Sequence, residues 1–172
     1  LTVHDNLDAM HRYVRLRKKL LGVYKLDYYE LYTPIVADED ASIPFEQAKD
    51  MAREALKPLG EDYLKILNEG FDNRWIDVYE NQGKRSGAYS AGVYGVHPYV
   101  LLNYTDTLDD VFTLVHEMGH ALHSYLSNHT QSVTYAGYKI FVAEVASTCN
   151  EALLMQHLLS KTTEPKCRAY LI

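Results

Sequence analysis

The sequence predicts a mainly α-helical fold with a small β element. Stretches at about 5–21, 42–56, 107–126 and 139–160 repeat apolar residues at helical spacing. Val93–Tyr104 (VYGVHPYVLLNY), β-branched and aromatic, is the one long segment that reads as strand. The breakers Gly22, Pro58, Gly60 and Gly70 fall between the helical stretches.

The first helix spans about 5–21, with Asp5 or Asn6 as cap, and Gly22 stops it. Leu7, Met10, Tyr13, Val14 and Leu20 form its apolar stripe. Residues 23–36 are rich in Tyr, Val, Leu and Ile and read as extended, with room for one short strand. Ser42 is the candidate cap of a second helix, with Pro44 in its first turn and its end at about Leu56. A third helix follows from about Glu61 to Glu69. Trp75–Tyr79 reads as a short strand or a helical turn. Residues 81–92 (NQGKRSGAYSAG) break all periodicity and read as loop. Pro98 cannot donate to a ladder, which predicts an edge position or a bulge for the strand around it. Thr107 caps the next helix, whose first turn carries Asp109 and Asp110, where carboxylates complement the helix dipole. Residues 127–138 are loop, and the last helix covers about 139–160.

The chain of 172 residues is long enough for one domain with a sizeable core. A net charge of −6 favours neither nucleic acid nor an anionic membrane surface. Arg12, Arg15, Arg17, Lys18 and Lys19 cluster, and the reading is one solvated helix face. Cys149 and Cys167 are too few and too dispersed for a disulfide scaffold and suit a reduced intracellular protein. No apolar run reaches the length of a membrane span. The chain opens at Leu1 in helix-like sequence and ends at Tyr170-Leu171-Ile172, so it is expected to be a piece of a longer protein.

The chemistry is concentrated in His116-Glu117-Met118-Gly119-His120. On a helix, positions i and i+4 share a face, so His116 and His120 point the same way and can share one zinc ion. Glu117, one position round, can reach a water beside that ion and act as general base. The remaining faces are apolar: Val111, Phe112, Leu114, Val115, Met118, Ala121 and Leu122. A helix so apolar is buried, and two buried histidines one turn apart need a reason. Two core histidines, each bonded to a carbonyl, are the plainer alternative. Gly119 costs about 1 kcal/mol against Ala in a helix interior, which a close backbone approach would explain.

A catalytic zinc takes a third protein ligand and keeps one position open. The extended H-E-x-x-H-x-x-G-x-x-H pattern is excluded, because His123 and Leu126 stand where it needs Gly and His. Glu144 is the best candidate, an isolated carboxylate in the apolar run Phe141–Ser147 that needs a cation. A salt bridge to Arg or Lys would also satisfy it. The intervening loop lets the last helix fold back antiparallel and present Glu144 to the metal. His123, on the face of His116, is a weaker ligand candidate. Glu151, on the face of Glu144, is either an outer partner of a ligand histidine or an ordinary exposed Glu. His97, His129 and His157 read as surface or packing residues.

The segments HEMGHALH, FVAEVASTCNE and GKRSGAYS closely resemble the oligoendopeptidase F group of the thimet-oligopeptidase-like zinc peptidases, over most of residues 80–160. The resemblance implies His116, His120 and Glu144 as ligands of one Zn2+ and Glu117 as base. It implies a zincin-like domain, with the motif helix packed on a second ligand-bearing helix. It also implies an oligopeptide substrate, a deep cleft and a cytoplasmic enzyme, and the charge balance leaves neither nucleic acid nor membrane as an expected partner. On this view residues 1–172 belong to one catalytic domain, about 1–80 as helical scaffold and about 81–160 as the active-site half. GKRSGAYS borders the cleft in that family. Ala88–Val93 is therefore either a strand that pairs with extended peptide or a plain connection. Members of the family are much longer, and their tyrosines and histidine that steady the tetrahedral intermediate lie beyond the second zinc-binding helix. An oxyanion donor is worth about 2.7–4 kcal/mol of barrier, so this segment alone is expected to be poorly active. Two rivals stay open at this point: a zincin exopeptidase and a non-catalytic zinc-stapled module.

Overall fold

The computed structural model describes residues 2–36 and 42–171. The described fold is mainly helical with one small sheet, as expected. The chain divides into two compact units, residues 1–40 with 164–172 and residues 41–163.

In the first unit, helices α1 (Thr2–Asp5) and α2 (Leu7–Leu21) follow one another. Gly22 ends α2 in the left-handed conformation, φ 68°, as a C-terminal glycine should. The expected apolar stripe is not the buried face: Met10, Tyr13 and Leu20 are exposed. Nor is the basic cluster uniformly solvated. Arg17 is buried, and its guanidinium donates to the Thr33 carbonyl at 2.6 Å and the Glu30 carbonyl at 3.3 Å. Those carbonyls are turned toward Arg17 because Tyr28–Tyr32 is a 3-10 helix and not the expected strand. Glu30 fixes its start by accepting the Asp27 backbone N–H at 2.6 Å. A last helix, α7 (Pro165–Leu171), opens on a proline, where the missing N–H has no helical partner to lose.

The second unit holds the core. Helix α3 (Phe45–Ala55) starts three residues after Ser42, so Ser42 does not cap it. A 3-10 turn, Lys57–Leu59, leads into α4 (Glu61–Asp72). Gly70 lies inside α4 rather than ending it. A Cβ there would sit 2.8 Å from Met118 Cε and 3.0 Å from the Trp75 ring, so the glycine admits a close neighbour. Three short strands form one sheet in the order β1-β3-β2: β1 Ile76–Asp77, β2 Tyr89–Ala91, β3 Tyr99–Leu101. The loop expected over 81–92 thus contains a strand. The strand at Tyr99 is central, contrary to the edge or bulge expected from Pro98. Pro98 precedes the first paired residue, where its missing donor is not needed.

Helix α5 (Leu108–Thr130) runs one turn beyond the expected end, and α6 (Ile140–Lys161) matches the expected last helix. The Thr107 hydroxyl accepts the Asp110 N–H at 3.1 Å, and the Asp110 carboxylate accepts the Thr107 N–H at 3.0 Å. Val111, Leu114, Val115, Met118, Ala121 and Leu122 are fully buried, as the pattern required. Residue pairs across the two helices run in opposite senses: Val115 meets Asn150, and Gly119 meets Ser147. The helices are therefore antiparallel. Among the described residues no helix is long and apolar enough to cross a membrane.

Candidate metal centre

Helix α5 presents His116 and His120 one turn apart, and α6 brings Glu144 against them. The facing atoms are His116 Nε2, His120 Nε2 and Glu144 Oε2. The two nitrogens are 3.1 Å apart, and the carboxylate oxygen lies 3.5 Å from His116 and 3.7 Å from His120. Ligands about 2.0–2.1 Å from a tetrahedral ion stand roughly 3.3–3.4 Å from one another. The three observed spacings bracket that value, and the donor set of two imidazoles and a carboxylate suits zinc.

Electrostatics favour the state a metal ligand needs. Burial, with the neighbouring His116, holds His120 below the usual histidine range, against the pull of Glu144 and a hydrogen bond to the Ala143 backbone. A neutral ring keeps its lone pair for a cation. Glu144 is not as enclosed as its apolar run suggests: its side chain is 44% exposed. Ile140, Phe141, Val142 and Val145 around it are exposed too, so the expected buried carboxylate is half open. Among the described residues, the groups that face its carboxylate are the two histidines rather than an Arg or Lys.

Glu117 lies against β2 through Ser90, near enough to His116 and Glu144 for both to act on its carboxyl. It is 7% exposed, and a backbone hydrogen bond from Ser90 reaches its carboxylate. Its Oε2 is buried without a hydrogen-bond partner. Burial pushes its carboxyl above the usual range, Glu144 adds to this, and His116 and the Ser90 bond oppose it. A carboxylate with one free oxygen in a desolvated pocket is a proton acceptor without a proton donor.

Glu151 hydrogen-bonds Nδ1 of His116, the contact that an outer partner of that ring would make. His123 does not join the triad. It stacks on Tyr138 at 3.9 Å, and burial lowers its affinity for a proton. His97 stacks between Trp75 and Tyr99, and His129 on Tyr125, both packing roles as expected. Gly119 marks a close approach, because a Cβ there would lie 2.7 Å from Ser147 Cα.

The motif spacing did not reveal three further residues. Ser147 Oγ lies 3.0 Å from Glu144 Oε2, Asn150 joins both helices, and Ser90 bonds Glu117. Ser147 was signalled by its position three residues after Glu144. Asn150 was signalled as an amide inside an apolar helix. Nothing local signals Ser90, whose contact is through backbone.

The sequence profile of Peptidase family M3 matches residues 2–170. The chain belongs to peptidase family M3. Oligopeptidase PepF of Bacillus subtilis (strain 168) is 50% identical over 171 residues, which cover 99% of this chain and 26% of that protein. An oligoendopeptidase F homolog of Lactococcus lactis subsp. lactis is 45% identical over 170 residues, 28% of its length. The chain thus spans about a quarter of the curated M3 relatives it matches. The crystal structure of oligoendopeptidase-F from Enterococcus faecium is 36% identical, with a TM-score of 0.55, over 99% of this chain and 22% of that one. A solved structure from Chlamydophila abortus is 40% identical with a TM-score of 0.86, over 99% of this chain and 28% of its own.

Proposed function

We propose that this chain is the metal-binding and catalytic segment of a zinc-dependent endopeptidase that hydrolyses short oligopeptides. The observation that carries the reading is the triangle of His116, His120 and Glu144, whose spacings match those of ligands around one tetrahedral ion. Membership of family M3, and relatives called oligopeptidases, support the peptide substrate. The chain is read as part of one catalytic domain, with the other parts of the enzyme outside it, and as cytoplasmic.

In this reading His116, His120 and Glu144 hold the zinc. When bound, zinc supplies Lewis acidity, bringing the pKa of water toward about 7 and polarising a carbonyl. Glu117 is the general base. Its free oxygen takes a proton from the attacking water, and the same carboxyl then gives that proton to the leaving amine. The Ser90 bond orients the carboxylate while leaving the other oxygen to the reaction. Glu151 holds the His116 ring so that Nε2 faces the metal. β2 is an edge strand, and an extended peptide can add to it through main-chain hydrogen bonds beside Glu117.

The test is Glu117→Gln in the complete polypeptide. The variant should keep zinc and lose turnover by orders of magnitude on a peptide blocked at both ends. Wild-type turnover would remove Glu117 from the base role. Failure of the unmodified enzyme to cut the blocked peptide, with free-ended peptides still cut, would replace endopeptidase by exopeptidase.

A further inference from the structure

We propose that Asn150 is a positioning residue that sets the separation and register of the two ligand-bearing helices. The proposal rests on the zinc reading above and adds to it the element that holds the ligands apart at the right distance.

Helices α5 and α6 approach backbone to backbone at Gly119. A Cβ on Gly119 would lie 2.7 Å from Ser147 Cα, 3.0 Å from the Ala146 carbonyl oxygen and 3.1 Å from Asn150 Nδ2. The contact falls between the ligands, with His116 and His120 flanking Gly119 on one helix and Glu144 just before Ser147 on the other. At this crossing Asn150 is 1% exposed and Ser147 fully buried. Asn150 Nδ2 donates to the Val115 carbonyl at 2.9 Å, one residue before His116. The Tyr63 hydroxyl, from α4, lies 3.1 Å from Oδ1, to which it donates, and 3.0 Å from Nδ2. One amide therefore ties α6 to α5 and to α4. Ser147 adds the last link, with its hydroxyl 3.0 Å from Glu144 Oε2 and 3.1 Å from the Glu144 carbonyl.

Packing alone does not ask for an amide here. A leucine fills similar volume, and replacing a buried polar pair by apolar groups of the same shape is close to neutral for stability. An amide does something a leucine cannot: its bonds hold at one register only. Apolar side chains tolerate sliding, whereas a productive site tolerates about 0.5 Å. Displacing α6 along α5 would break the bond to Val115 and carry Glu144 away from both histidines together.

The experiment compares Asn150→Leu/Tyr63→Phe with wild type and Glu144→Ala, each as the complete polypeptide. Removing both polar partners avoids stranding one of them. Zinc affinity by chelator competition, the visible spectrum of the Co2+ form and apoprotein melting are measured together. The expected result is zinc affinity lower by about tenfold or more, altered Co2+ bands, and apoprotein melting close to wild type. Zinc affinity within about twofold of wild type, with an unchanged Co2+ spectrum, would overturn the proposal. Should the double variant not fold, Tyr63→Phe alone decides: it loses one hydroxyl and should weaken zinc by about threefold or more, and unaltered affinity overturns the role. Wild-type affinity in Glu144→Ala would instead remove the zinc reading itself, and the positioning role with it.

Discussion

Glu151 and Glu144 engage the same ring from opposite sides: Glu151 bonds Nδ1 of His116, and Glu144 approaches Nε2 at 3.5 Å. The two carboxylates lie two turns apart on α6, so a single helix supplies both the candidate ligand and the group that orients its neighbour. A hydrogen bond at Nδ1 fixes the tautomer with the lone pair on Nε2.

Glu151→Ala should therefore weaken zinc by about 10–100-fold while the helices stay packed. Glu151→Gln, which can still accept from Nδ1–H, should weaken it less. The ordering Glu, Gln, Ala in a chelator-competition series checks this, and equal affinities across the three would contradict it.

Gly119→Ala should lower stability by about 1–3 kcal/mol, although alanine is the better helix former by about 1 kcal/mol. The contact it meets is backbone, 2.7 Å away at Ser147 Cα, and backbone cannot rotate aside. Thermal or urea unfolding measures the change. A gain in stability would show that α6 shifts freely and that the crossing is not tight.

The fold and the triad were legible in the sequence for different reasons. α5 was plain because Thr107, Asp110 and the buried stripe agree locally. His116, His120 and Glu144 were found because helical spacing fixes the first two, and an isolated carboxylate in an apolar run signals the third. Arg17 was not legible, because its partners are carbonyls of a 3-10 helix that the Tyr-rich composition disguised as strand. Pro98 misled because a proline just before a strand looks like one within it. The sequence leaves β2 open between a strand and a plain connection because its residues resemble a loop, and only pairing with β3 makes them a strand. The half-open setting of Glu144 was beyond any local signal, since helix composition does not say what covers the helix.

The cap of α5 carries a pH dependence. Burial alone would raise the Asp110 carboxyl, but hydrogen bonds from Thr107 and Thr105 outweigh it and hold it below the usual carboxylate range. A group depressed in the folded state contributes stability above its unfolded pKa of about 3.9 and loses it as pH falls through the folded value. Asp110→Asn should thus be less stable than wild type at neutral pH, with the gap closing below about pH 4. Thr107→Ala should cost about 0.5–2 kcal/mol at neutral pH. Unfolding curves at several pH values check both, and a gap that widens in acid would contradict the assignment.

The most direct measurement is zinc content by elemental analysis of the purified complete polypeptide, beside its Glu144→Ala and His120→Ala variants. The account predicts one zinc ion per chain in the wild type and a sharp loss in each variant with the fold intact. Full zinc retained in folded Glu144→Ala would contradict the account, because the metal would then be held by something other than the triangle of His116, His120 and Glu144.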